Sequence, residues 1–215
     1  MAFLDTVRTP RTPFWLWWFP VVVAACLFSI FLLDAGLALW LRPQPKTGLL
    51  WESWWRLCSE MGNSTWWLIG SVMCYLASYL LPHRKQSLRR TSLAVLAAVV
   101  ASGITLNLLK IVFARPRPRM LFREGLYAFD WGRIGSDVGS FPSGHATTIA
   151  ALAVIGAWLW PKTSWVWLTV VILVALSRVI LGSHYLADVV AGGYVGMVVA
   201  FGVRAWLTQW ESTRC

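Results

Sequence analysis

Six apolar runs dominate the chain, near Phe14–Leu41, Thr65–Leu81, Leu93–Ala114, Ser143–Trp160, Trp165–Leu181 and Tyr185–Trp206. Each approaches the about 20 residues that an α-helix needs to cross a bilayer. In lipid, every backbone N–H and C=O must be satisfied inside the element, which restricts such runs to helices. The expected fold is therefore all-α, a polytopic membrane bundle of about six transmembrane helices forming one domain over residues 1–215. Composition agrees: 58% of residues are hydrophobic and only 13% are charged, and many of the 16 Trp lie near the ends of runs, where interfacial anchors belong.

The formal charge of +10 raises the question of a polyanionic partner. The basic residues are scattered over short loops and form no single stripe, so no nucleic-acid partner is expected; anionic headgroups are the natural counterpart. Cys26, Cys58, Cys74 and Cys215 make no disulfide or zinc framework. Val23-Ala24-Ala25-Cys26 is reminiscent of a lipoprotein processing site, but the apolar run continues through Leu27–Leu33, as in a retained membrane helix.

An even number of crossings puts both termini on one side. With termini inside, the inner segments hold nine Lys and Arg and the outer segments eight, nearly a tie. The cluster HRKQSLRR (83–90), which includes a solvated His83, is the cleanest signal and argues for cytoplasmic termini. Two outer segments stand out. Residues 49–61 place Leu50, Trp51, Trp54, Trp55, Leu57 and Met61 at helical spacing, giving one apolar face that either lies in the membrane interface or packs on the bundle. The Gly-rich segment Arg115–Pro142 is long for a connection, and loops of that length are often functional.

The polar residues of the apolar runs gather at one face. Lys110 ends the third run, FPSGHA (141–146) opens the fourth, Arg178 closes the fifth, and His184 and Asp188 open the sixth. Pro142 sets a turn, Ser143 is placed to cap the following helix, and Gly144 allows close approach of a ligand to the backbone. Free N–H groups at a helix start attract anions, and His145 faces the same place. His184 and Asp188 are four apart, so a shared helical face would let the carboxylate fix the imidazole tautomer; a dipole contact of Asp188 with its own helix is the bland alternative. Lys110 and Arg117 could each be snorkelling to headgroups, whereas Arg178 lies deeper, where a charge costs about 2.5–3.5 kcal/mol on insertion scales. Together these groups make a phosphate cradle with two histidines, one able to attack and the other to move a proton. No HExxH and no Asp/Glu or Cys/His cluster is present, so no metal and no cofactor is implied.

These residues resemble the three motifs of the type 2 phosphatidic acid phosphatase superfamily. K-x6-R-P appears as Lys110, Arg117 and Pro118; P-S-G-H as Pro142, Ser143, Gly144 and His145; S-R-x5-H-x3-D as Ser177, Arg178, His184 and Asp188. The resemblance is tight from Lys110 to Gly192 and looser elsewhere. Arg115-Pro116 is a second Arg-Pro pair, two residues short of the family spacing, so the family role falls to Arg117. The resemblance implies a catalytic set of His184, His145 and Asp188 and a phosphate-binding set of Lys110, Arg117, Ser143, Gly144 and Arg178. It implies a metal-independent lipid phosphatase in which His184 attacks phosphorus, Asp188 orients it and His145 protonates the leaving oxygen.

The same motifs occur in soluble vanadium haloperoxidases, which six spans argue against. A phosphate- or ion-binding transporter is the non-enzymatic alternative, but a transport path would spread polar groups through the membrane depth; Asp34 is the main exception to the one-face clustering, as a structural partner or an interfacial group. The expected substrate is a lipid phosphate (phosphatidylglycerol phosphate, undecaprenyl diphosphate, lipid A phosphate or phosphatidic acid) in the bacterial cytoplasmic membrane, with the site facing the exterior. Arg119, Arg123 and Arg133 either grip a second phosphate or simply attract anionic lipid. Oligomeric state is not legible.

Overall fold

The computed structural model describes residues 14–42, 48–81, 85–132, 135 and 137–213. The orientation signals Arg8, Arg11, Lys46, His83, Arg84 and Arg214, with Arg133 and Cys215, lie outside the described residues.

The chain forms helices α1 (Phe14–Trp17), α2 (Phe19–Phe28), α3 (Asp34–Trp40), α4 (Leu49–Glu60), α5 (Ser64–Ala77), α6 (Lys85–Phe113), α7 (Pro118–Glu124), α8 (Gly144–Leu159), α9 (Ser164–Ile180) and α10 (Leu186–Ser212). A π-helical turn, Ser29–Leu33, joins α2 to α3, so the first apolar run is one continuous rod. Among the described residues there is no β-strand, only an isolated antiparallel bridge between Pro116 and Val138.

Each apolar run is a helix, but the helices differ in length. Four are long and apolar enough to cross a membrane: Trp15–Trp40, Gln86–Phe113, Pro161–Ile180 and Leu186–Trp210. The apolar α8 has 16 residues and α5 has 14. At about 1.5 Å per residue, both α8 and α5 fall short of a hydrocarbon core of about 30 Å. The protein is a multi-pass helical membrane protein, and among the described residues four helices have crossing length.

Helix α8 is the axis of the bundle. Ala146 to Leu152 are all buried, as are Ile155 and Gly156, and the helix packs on α10, α9 and α6. Such a helix, apolar all round, belongs in the centre rather than at the lipid face. Small residues let its neighbours approach. A Cβ on Gly196 of α10 would collide with the carbonyl of Thr147, and one on Gly156 would collide with the Trp167 ring. Gly192-x3-Gly196 is the small-xxx-small spacing that allows close helix packing in membranes.

Helix α4 divides its apolar residues between two faces. Trp55, Cys58 and Ser59 are buried, and the helix packs on α9. Leu50, Trp54 and Leu57, at i, i+4 and i+7, are exposed as a second apolar stripe. The single face expected over 49–61 is therefore two. The width of the stripe exceeds what one neighbouring helix can cover.

Candidate active site

The ends of α6, α8, α9 and α10 converge with α4 at one end of the bundle, and backbone contacts fix their order. Helix α6 ends after Lys110, and the chain leaves it through buried Ala114 at φ 39, a sparsely allowed conformation for a residue with a Cβ. That bend turns Arg115 inward. The Arg115 carbonyl accepts N–H bonds from Gly139 and Ser140, both at 2.9 Å, which ties the far end of the long loop to its start.

The P-S-G-H segment docks directly on α10. The Ser143 N–H donates to the Asp188 carbonyl at 2.9 Å. A Cβ on Gly192 would sit 2.5 Å from the Ser143 oxygen, so only glycine permits this approach. Ser143 stands at the N-cap of α8, but its hydroxyl makes no cap bond: Oγ is buried with no partner among the described residues. The expected capping role is not seen, because the close seat on α10 points this hydroxyl elsewhere. Lys110 Nζ lies 4.0 Å from the position a Gly144 Cβ would take, which brings its ammonium against the start of α8.

The turn between α9 and α10 explains the spacing of Arg178 and His184. Gly182 is left-handed at φ 61, and the N–H groups of Ser183 and His184 both donate to the Arg178 carbonyl, at 3.0 and 3.2 Å. This is how a helix ends when its last carbonyls need donors. It holds the two side chains at fixed separation. The Arg178 guanidinium donates to Ser59 Oγ of α4 at 2.5 Å. His145, in the first turn of α8, packs against Gly62: a Cβ there would lie 2.9 Å from both the His145 Cβ and its carbonyl. His145 is within electrostatic reach of Arg178, His184, Glu60 and Lys110.

His184 is buried, and its Nδ1 lies 2.8 Å from the Ser140 carbonyl. A carbonyl only accepts, so Nδ1 carries the proton and Nε2 is left as the free, unprotonated nitrogen. Asp188 Oδ2 is 3.6 Å away from the same Nδ1, beyond a hydrogen bond. His184 precedes α10 rather than sharing a helical face with Asp188. The tautomer expected to be fixed by Asp188 is thus fixed by a backbone carbonyl, with the carboxylate acting through its charge. Burial pushes the His184 pKa down to about 4, against the upward pull of Asp188.

Asp188 is held from all sides. Its Oδ2 accepts from Ser140 Oγ at 2.5 Å and from the Tyr185 N–H at 2.9 Å, and its Oδ1 accepts from Arg115 at 2.6 Å. The Tyr185 contact is the helix-start interaction considered as the bland alternative, and it coexists with the others. Arg115 in turn pairs with Asp34 Oδ2 at 2.9 Å, and all three side chains are fully buried. Burial works to lower the Arg115 pKa, but Asp188 and Asp34 outweigh it and hold it above the ordinary value. Asp34 also accepts from Ser29 Oγ at 2.6 Å and from the Ala187 N–H at 3.2 Å. Asp34 is therefore a structural partner. The π-helical turn beside it leaves the Ile30 carbonyl to accept from Tyr127, which itself accepts from Arg115.

Ser143 Oγ, Arg117 Nε and Arg178 Nε are buried donors with no acceptor among the described residues, as are Arg115 Nε and Tyr185 Oη beside Asp188. Arg117 is half-buried, and burial together with Arg119 pushes its pKa below the ordinary value, with Asp188 and Asp137 opposing. Donors and cations left unpaired around one histidine suit an anion with several oxygens. Of the residues singled out for a second phosphate, Arg119 pairs with Asp137 at 2.5 Å, and Arg123 lies exposed on α7. Sequence reasoning missed the roles of Arg115, Ser140, Tyr127 and Ser59. Only Arg115 carried a signal, as the first of two Arg-Pro pairs.

Residues 91–212 match the family model of the PAP2 superfamily. A lipid A 1-phosphatase of Rhizobium johnstonii is 31% identical over 91% of this chain and 80% of its own length. A lipid A 4'-phosphatase of Porphyromonas gingivalis is 25% identical over 70% of this chain and 66% of its own. Among solved structures, the PAP2-type phosphatidylglycerolphosphate phosphatase of Bacillus subtilis superposes with a TM-score of 0.61 at 18% identity, over 91% of this chain and 94% of that one. Aquifex aeolicus LpxE superposes with a TM-score of 0.59 at 18% identity, over 82% of this chain and 98% of that one. The chain belongs to the PAP2 superfamily. It is a membrane phosphatase.

Proposed function

We propose that the chain hydrolyses the phosphate of a lipid headgroup through a phosphohistidine at His184, and that a lipid A phosphate is the favoured substrate. The observation that carries the chemistry is the His184 ring, held by the Ser140 carbonyl with Nε2 free, near the buried donors Ser143 Oγ, Arg117 Nε and Arg178 Nε, which have no acceptor among the described residues. Lys110, Arg117 and Arg178 supply positive charge, and Ser143 Oγ and the Gly144 N–H supply donors, for the phosphoryl oxygens. In the first step Nε2 attacks phosphorus, the P–O bond to the lipid breaks, and the bond pair goes to the leaving oxygen. His145, which takes up a proton as the phosphate anion docks beside it, gives that proton to the leaving oxygen. In the second step water attacks phosphorus, His145 takes its proton, the P–N bond breaks and phosphate departs. Asp188 stabilises the positive charge that His184 carries in between.

The lipid A reading is supported by the relatives of that name at 31% and 29% identity. The site lies at one end of the bundle, where a headgroup is reached without drawing the lipid out of its leaflet. The basic stretch before α6 supports cytoplasmic termini and a site facing the exterior of a bacterial cytoplasmic membrane.

The test is phosphate release by the purified protein, with EDTA present, from lipid A, phosphatidylglycerol phosphate, undecaprenyl diphosphate and phosphatidic acid. Release that is strongest from lipid A and absent in His184→Ala supports the proposal. Equal or better release from a glycerophospholipid removes the lipid A assignment, and no release from any of them removes the lipid phosphatase.

A further inference from the structure

Arg178 and Ser59 also line a cavity of about 750 Å³ between the end of α3, helix α4 and the end of α9. A phosphate fills a small part of such a space, which lies in the range of about 300–1,000 Å³ typical of sites for whole small molecules. Its walls carry Trp40, Trp51, Trp55, Arg42, Glu52 and Arg56. An acyl chain there would strand these charges. A bare second phosphate would meet Glu52, which already holds Arg56 at 2.5 Å. Indoles set beside the Arg56–Glu52 pair and the Arg42 donor suit a ring that is apolar on its faces and polar at its rim, as a sugar is.

A second observation points to a ligand. Trp55 is only 8% exposed, yet its Nε1–H has no acceptor among the described residues. Buried donors of this kind are uncommon in native structures. Trp51 stands edge-to-face against it, with ring centroids 5.5 Å apart at 79°, and is itself exposed to the cavity side. The cavity is joined to the reacting centre through the Arg178–Ser59 hydrogen bond.

Resting on the lipid phosphatase reading above, we propose that this cavity is a saccharide subsite. It takes the sugar that bears the scissile phosphate, with Trp55 Nε1–H donating to an oxygen at the ring's rim and the Trp51 indole against the ring's face. Selection of a glycolipid phosphate over a glycerol phosphate then resides in α4.

The test compares kcat/KM for phosphate release from lipid A and from phosphatidic acid in the full-length protein. The variants are Trp55→Phe, which keeps the aromatic packing and removes the N–H, Trp51→Leu, and Trp54→Leu on the outward face of α4. The expected result is a fall of about tenfold in the lipid A to phosphatidic acid ratio for Trp55→Phe and Trp51→Leu, through KM, and no change in the ratio for Trp54→Leu. An unchanged ratio, or a parallel loss on both substrates, would overturn the subsite. Wild-type release from phosphatidic acid but not from lipid A would overturn the subsite and the lipid A assignment and leave the lipid phosphatase standing. No release from either would overturn the lipid A assignment and the subsite with it.

Discussion

His184 Nδ1 lies 2.8 Å from the carbonyl oxygen of Ser140 and 3.6 Å from Oδ2 of Asp188. A backbone carbonyl therefore orients the ring, while Asp188 supplies charge nearby. Ser140 serves both groups, since its hydroxyl donates to Asp188. The two functions often credited to one carboxylate are here split between two residues 48 apart in sequence.

Because burial outweighs Asp188, His184 should stay neutral well below the ordinary histidine value, down to about pH 4. A neutral ring is what nucleophilic attack needs. Labelling the three histidines with ¹³C and assigning them with His184→Gln lets the titration be read by NMR in detergent. The His184 signal should hold its neutral position from pH 8 to pH 5; a midpoint near 6.5 would contradict the burial argument.

Arg115 holds two buried carboxylates, so Arg115→Met leaves Asp34 and Asp188 without their cation. Breaking a buried pair in this way costs about 3–5 kcal/mol. The variant should melt much earlier in detergent and lose turnover. Asp34→Asn keeps an acceptor for Ser29 and Ala187 and leaves the Arg115–Asp188 pair, so its loss of thermal stability should be the smaller of the two.

Gly192→Ala places a methyl 2.5 Å from the Ser143 oxygen. The P-S-G-H segment must shift away from α10, and small displacements of positioned groups cost about a hundredfold in rate. Turnover should fall steeply at saturating lipid, whereas Gly193→Ala, whose Cβ meets nothing within 4 Å, should stay near wild type. Similar rates for the two variants would show that the seat on α10 does not matter.

His145→Ala should lower kcat by about 10²–10⁴-fold, the usual contribution of a positioned acid–base group. The deficit should shrink on a lipid phosphate whose leaving group is made acidic, because such a group needs no proton to depart. A deficit that is the same for both leaving groups would remove the general-acid role.

Much of the site was legible because its residues sit at fixed spacing within short segments. Arg178 and His184 are locked by a single helix-ending turn at Gly182, and Ser143 to His145 open one helix. The uncompressed spacing of the motifs survives in sequence. The supporting network was not legible, because its members come from distant segments: Asp34 reaches Ala187 across 153 residues and Arg115 reaches Asp188 across 73. Arg115 was visible as an Arg-Pro pair, but no sequence pattern says that the bend at Ala114 turns it inward. Apolar periodicity found α4 as a helix and could not say which side α9 would cover. The apolar runs likewise showed where helices form and left the length of α5 open.

The central claim is that phosphate passes through His184. The direct measurement is a rapid quench of the enzyme with lipid A carrying labelled phosphate, followed by mapping of the protein-bound label. The label should be acid-labile and alkali-stable, lie on the peptide containing His184, and be absent from His184→Ala. Turnover without any protein-bound label on this time scale, or label on the peptide containing His145 instead, would contradict the assignment.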